Sequence, residues 1–107
     1  MAFYELRQYK IKPGKMEEWL KFMEGEIIPF QVAKGMVITG SFRGEKDDSV
    51  YIWIRRFESE AAREKLYAAV YESDYWKNTV APKVGELIDR PAIQVQRIVP
   101  TRISTAQ

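Results

Sequence analysis

The octapeptide Val50-Tyr51-Ile52-Trp53-Ile54-Arg55-Arg56-Phe57 alternates almost without a break. Val50, Ile52 and Ile54 are aliphatic, while Tyr51, Trp53, Arg55 and Phe57 are aromatic or cationic. Successive side chains of a strand point to opposite faces, so a period of two specifies a strand, and here neither face suits water alone. The polar stretch Gly44-Glu45-Lys46-Asp47-Asp48-Ser49 precedes it with hairpin composition, which predicts antiparallel pairing with residues 36 to 43.

The rest of the chain supplies neighbours for that hairpin. Residues 3 to 11, Phe-Tyr-Glu-Leu-Arg-Gln-Tyr-Lys-Ile, read as another strand, closed by Pro13-Gly14. Met16, Trp19, Leu20, Met23, Ile27 and Phe30 then recur at the spacing of one helical stripe, with Glu17, Glu18, Lys21 and Glu24 off it. Pro29 cannot donate to the helical ladder and crowds the preceding turn, so a kink or an end is expected near Ile28. Ser59 suits the N-cap of a helix from Glu60 to about Tyr71, whose stripe is Ala62, Leu66, Ala69 and Val70. Trp76, Val80, Val84, Leu87 and Ile88 keep helical spacing to about residue 89, broken by Pro82. Pro91 favours extended geometry at Arg90, and Ala92 to Val99 read as the last strand. The order is β-α-β-β-α-β, an α+β, ferredoxin-like arrangement with one antiparallel sheet and helices on a single face. With 107 residues, one domain spanning 1–107 is expected, ending in a mostly polar tail at 100–107.

Composition removes whole classes of chemistry. The chain has no cysteine and no histidine, which excludes disulfides, thiolate nucleophiles, thiolate zinc sites, imidazole bases and histidine-ligated haem. Any reaction must use carboxylates, Arg, Lys, Tyr or water. The acidic run Glu45-Lys46-Asp47-Asp48 reads as a solvated hairpin tip, so neither a metal site nor a cofactor is expected. Seventeen basic against fifteen acidic residues, interleaved throughout, argue against nucleic-acid binding. No stretch approaches the roughly 20 apolar residues of a membrane span, and the N-terminus lacks the pattern of a secretory signal, so a cytoplasmic location is expected.

The alternation also groups candidate site residues. The aliphatic set of each strand is expected to face the helices. The other face would then hold Glu5, Arg7 and Tyr9 of the first strand, Tyr51, Trp53, Arg55 and Phe57 of the third, and Gln94 and Gln96 of the last. Such a face is too apolar for water, and Trp, Tyr and Arg are residues that anchor interfaces. Two sheets packed face to face would bury it, which predicts an isologous homodimer with a partly polar interior. Glu5 paired with Arg7 or Arg55 would fix the dimer register. Alternatively, an Arg would hold a carboxylate or enolate, Tyr9 or Tyr51 would donate a proton, and Glu5 would be a base with a raised pKa. Met16, Trp19, Met23, Phe30 and Trp76 are expected in the core.

The opening Tyr4-Glu5-Leu6-Arg7-Gln8-Tyr9-Lys10-Ile11-Lys12-Pro13-Gly14-Lys15, running into Met16-Glu17-Glu18-Trp19-Leu20, resembles the NIPSNAP family. Gly40-Ser41-Phe42, the strand from Val50 to Phe57, Tyr71-Glu72-Ser73-Asp74-Tyr75-Trp76 and Gln94-Val95-Gln96-Arg97-Ile98-Val99-Pro100 resemble it in the same order. The resemblance implies a ferredoxin-like domain that forms dimeric α+β barrels, a fold shared with small monooxygenases, haem-degrading enzymes and related dehydratases. It implies no reaction and no catalytic residues.

Two function classes follow. One is a homodimeric small-molecule-binding protein or cofactor-independent enzyme with a cavity lined by Glu5, Arg7, Tyr9, Tyr51, Trp53, Arg55, Gln94 and Gln96. The other is a non-catalytic interaction or scaffold protein whose interior polar groups satisfy one another.

Overall fold

A computed structural model describes residues 2–107. Four strands, β1 (Phe3–Lys10), β2 (Val37–Arg43), β3 (Val50–Phe57) and β4 (Gln94–Ile98), form one antiparallel sheet in the order β2-β3-β1-β4. β3 and β1 occupy the centre, and their partners run from Phe3 opposite Phe57 to Lys10 opposite Val50. The hairpin expected at residues 44–49 joins β2 to β3, with Asp47 accepting from the Ser49 backbone and hydroxyl at its tip.

The first helix begins as α1 (Met16–Phe22), widens into a π-helical turn (Met23–Ile27) and continues as α2 (Ile28–Ala33). Pro29 explains the interruption, because its missing N–H would orphan a carbonyl of a regular helix, and the wider turn shifts the ladder instead. The second helical region repeats the device. After α3 (Glu60–Tyr71), capped by Ser59 accepting from the Ala62 backbone at 3.1 Å, a π-helical turn (Trp76–Val80) precedes α4 (Ala81–Leu87) and its Pro82. Pro91 departs from expectation. It sits in a 3-10 turn (Arg90–Ala92), so β4 starts at Gln94, not Ala92, and ends one residue earlier than foreseen.

The helices cover one face of the sheet, as expected, but it is the other face from the one the aliphatic rule assigns. Tyr51, Trp53, Arg55 and Phe57 are buried under them, whereas Val50, Ile52 and Ile54 are only half-buried on the uncovered side. One core cluster joins Tyr9, Tyr51 and Trp53 to Met16, Trp19, Phe22, Met23 and Ile27, with Trp19 edge-on to Tyr9 and Tyr51. A second joins Phe3 and Phe57 to Met36 and Val70. Met16, Trp19 and Met23 are buried, and Phe30 and Trp76 pack partly buried against the clusters. In α3, Val70 is buried and Leu66 packs beneath, but Ala69 of the expected stripe is exposed.

Candidate functional site

Strand register places Glu5, Arg7 and Tyr9 of β1 on the same face as Arg55, Trp53 and Tyr51 of β3, their direct cross-strand partners. The grouping read from alternation is therefore correct for these six. Gln94 and Gln96 are not part of it. They oppose Gln8 and Leu6 across β1 and β4, so they lie exposed on the uncovered face. The end of the last strand could not be phased from sequence because Arg97-Ile98-Val99 interrupts its alternation.

Beneath the helices these residues, Tyr51 apart, divide into two groups of different character. The first is closed. Glu5 and Arg55 are almost fully buried, with Arg55 Nη2 3.0 Å from Glu5 Oε1 and Arg63 Nε of α3 2.7 Å from Oε2. The Tyr67 hydroxyl donates to Oε1 and accepts from Arg55 Nη2 at 2.8 Å. Arg55 Nη1 donates to Gln31 Oε1 of α2 and to the Tyr71 hydroxyl, each at 2.8 Å, and the guanidinium lies 4.6 Å from the Trp53 ring centroid. Burial alone would raise the Glu5 carboxyl, but hydrogen bonds from Tyr67 and Arg63 and the charges of Arg55 and Arg63 outweigh it and hold its pKa below the ordinary value. Glu5 is thus a poor base, contrary to the expectation of a raised pKa. Nor does its pair with Arg55 lie where it would set a dimer register, since it is covered by the chain's own helices.

The second group is open. Arg7 is half-buried, and its Nε donates to the Tyr9 hydroxyl at 3.0 Å. Among the described residues no carboxylate lies within ion-pair distance of it and its two terminal nitrogens have no hydrogen-bond partner; they remain in contact with solvent. The same Tyr9 oxygen accepts from Trp53 Nε1 at 3.0 Å, so both lone pairs are used while its proton has no acceptor among the described residues. Burial opposes the Arg7 charge, yet the oxygens of Tyr9, Tyr67 and Tyr71 around it raise its pKa further above the ordinary value. Beside it on β4, Val95 is 46% exposed, so the helices leave this flank of the sheet uncovered. Tyr51 is spent differently: its hydroxyl lies 2.6 Å from Ser41 Oγ, and burial pushes it up to about 12.

Four members of the closed group, Gln31, Arg63, Tyr67 and Tyr71, are absent from the set read off the sequence. A signal existed, for Arg63, Tyr67 and Tyr71 recur every four residues and so share one side of α3. No group of three or more acidic side chains converges as a cation site among the described residues.

A four-stranded antiparallel sheet in this order, with helices over one face and a polar layer between them, defines an α+β protein of the ferredoxin-like class. Residues 4–105 match the NIPSNAP family, and the chain belongs to it. A NIPSNAP family protein from Agrobacterium tumefaciens is 24% identical, with both chains covered in full and a TM-score of 0.88. A second from that organism, described as of unknown function, is 27% identical over 99% of this chain and 94% of that one, with a TM-score of 0.88. A NIPSNAP-like domain protein from Burkholderia xenovorans is 20% identical over 96% and 88% of the two chains, with a TM-score of 0.85. No match was found among curated proteins.

Proposed function

We propose that the chain acts as a single NIPSNAP-like domain, in the cytoplasm, as a homodimer that binds a small anionic molecule at Arg7. The observation that carries this reading is a half-buried guanidinium with no carboxylate partner and two free terminal nitrogens. Partly desolvated cations are ordinarily paired, because removing a charge from water is costly unless another charge or hydrogen bonds compensate. Arg55 meets that rule through Glu5, and Arg63 through Glu5 and Glu60. Of these three arginines, Arg7 is the one with no carboxylate partner among the described residues. With Glu5 occupied and held ionised, β1 and β3 offer no carboxylate free for proton abstraction beside it, which favours binding over enolisation.

The dimer is supported by the uncovered sheet face. Val37, Phe42 and Ile98 are large exposed apolar side chains there, flanking the half-buried Leu6, Ile52 and Ile54, with Gln8, Gln94 and Gln96 among them and the C-terminal tail bonded to Tyr4 and Arg56 at one end; a mixed apolar and polar face of this kind suits a second copy. A scaffold role without a ligand has its own support in the closed group, where Glu5, Tyr67 and Gln31 hold the terminal nitrogens of Arg55 and leave only its buried Nε without a partner among the described residues.

Calorimetric titration of the purified protein with acetate, benzoate and inorganic phosphate tests the choice. Saturable binding of at least one anion, lost in Arg7→Gln, is the expected result. Absence of binding by all three, or equal binding by the variant, favours the scaffold.

A further inference from the structure

We infer that the C-terminal tail and the uncovered face of the sheet form a second binding site, for an uncharged, mainly apolar molecule carrying a hydroxyl or carbonyl group. The site lies across the sheet from Arg7 and does not rest on the anion reading.

Tyr4 shows where the tail goes. It stands on the face that the helices leave uncovered, opposite Arg56 and Ile98, yet it is only 7% exposed. The segment after β4 buries it. The Ser104 N–H donates to the Thr101 carbonyl at 3.0 Å, closing a turn with Arg102 and Ile103 at its tip, and the chain then doubles back. At its far end the Gln107 backbone oxygen accepts from Arg56 Nε at 2.7 Å and from the Tyr4 hydroxyl at 3.3 Å. Gln107 Nε2 donates to the Thr101 carbonyl at 3.2 Å, so the tail is a closed loop pinned to the sheet.

That loop arches over an apolar floor. Tyr4, Ile54 and Ile98 beneath it, with Val99 and Pro100 at its start, bound an open-sided cavity of about 740 Å³. Small-molecule sites occupy about 300–1,000 Å³. Ile103 is the one large aliphatic residue of 100–107, and it is 82% exposed and outside the cavity. A segment that merely covered the sheet would turn that side chain inward to pack on the floor. Here the turn holds it out, and the loop spans the floor instead.

Charge then selects the ligand. Charged residues make up 30% of the chain, but none of the described side chains lining the cavity is charged. Arg56, at the pinned end, is taken up by Glu58 and the Gln107 backbone. The polar groups of the lining are hydroxyls, including those of Thr39, Thr101 and Thr105, and the Gln107 amide. Such groups both donate and accept, so they match a hydroxyl or a carbonyl, but they compensate no ion removed from water. Thr39 and Ile54 adjoin Phe42 and Ile52, where the second copy is proposed to dock, so that copy is the competing occupant.

The test uses the full chain, carbon-13-labelled at its isoleucine methyls, titrated separately with 1-octanol, 1-butanol, octanoate and octylammonium. Octanol should shift the Ile54 and Ile98 signals saturably while leaving those of Ile11 and Ile27, buried under the helices, in place. It should bind at least tenfold more tightly than the other three probes. Arg7→Gln should bind octanol as the wild type does, and Ile98→Trp at least tenfold more weakly, because the indole fills the cavity. Should Ile98→Trp fail to fold, the wild-type shifts and the octanol and octanoate comparison still decide. Octanoate or octylammonium matching octanol overturns the uncharged assignment, and butanol matching it overturns the apolar body. No saturable octanol binding, shifts confined to other isoleucines, loss of binding in Arg7→Gln, or undiminished binding by folded Ile98→Trp removes the site. Octanol binding by Phe42→Glu but not by the wild type would show that a second copy fills the cavity, and so overturns it as well. Failure of acetate, benzoate and phosphate to bind removes the anion reading and leaves this one untouched.

Discussion

Glu5 and Arg7 stand two residues apart on one face of β1 and meet opposite fates. Glu5 receives Arg55, Arg63 and Tyr67 on its two oxygens, so replacing it leaves a buried Arg55 without its counter-charge. Removing one partner of a buried pair costs about 3–5 kcal/mol. Glu5→Gln should therefore lose roughly 3 kcal/mol of stability at neutral pH in urea denaturation. The deficit should also depend on pH. Because the folded-state pKa of Glu5 is below its ordinary 4.5, the stability it confers is present above that value and fades as pH falls through the folded one. The two proteins should converge in acid, and a difference unchanged from pH 7 into that range would refute the ion-pair account. Arg7 predicts the reverse pattern. Half-solvated and unpaired, it should tolerate Gln with a change of about 1 kcal/mol or less, whereas Arg55→Gln should cost about 3 kcal/mol or more. Equal losses in the two variants would show that Arg7 is as structural as Arg55.

Among the elements, both long helical regions carry a proline just after a widened turn, and that shared solution lets each keep one apolar side against the sheet. The turn from α2 into β2 depends on Gly35, whose φ of 108° lies in the region that favours glycine. An added Cβ would also come 3.1 Å from Leu66 Cδ2 of α3. Gly35→Ala should lower stability by about 1–2 kcal/mol, read as a drop in melting temperature. Gly14→Ala, equally left-handed at φ 74° but open around its Cα, should cost less. A larger loss at Gly14 would mean that the Leu66 contact is irrelevant. Along β2, Gly40 makes room for the Phe42 ring, which occupies the space a Cβ would need and so lies against the uncovered face.

For the whole molecule, that face is where association is expected. Phe42 is 55% exposed and Val37 49%, both on the edge strand β2 and on the opposite face of the sheet from Arg7. Phe42→Glu should weaken the dimer at least tenfold by sedimentation without altering benzoate binding, since a charge buried within an apolar contact is poorly tolerated. A wild-type protein that sediments as a monomer at all concentrations would overturn the dimer. In the proposed arrangement the two faces of the sheet would serve separate functions, association on one and the anion at Arg7 on the other. No helix among the described residues is long and apolar enough to cross a membrane.

The periods along the chain determined the element order, the hairpin, the Ser59 cap and the grouping of Glu5, Arg7 and Tyr9 with Tyr51, Trp53 and Arg55. These are local properties, written in spacing that any strand or helix must obey. Tertiary structure alone decided which face the helices cover, because a period of two divides a strand into two sets without saying which points where. It was settled here by residues distant in sequence. Gln31, Arg63, Tyr67 and Tyr71 bring hydrogen bonds down onto Glu5 and Arg55, so the polar set can be buried while the aliphatic set faces outward. The same long-range contacts leave Arg7 without a carboxylate partner among the described residues, a property carried by no spacing in the chain.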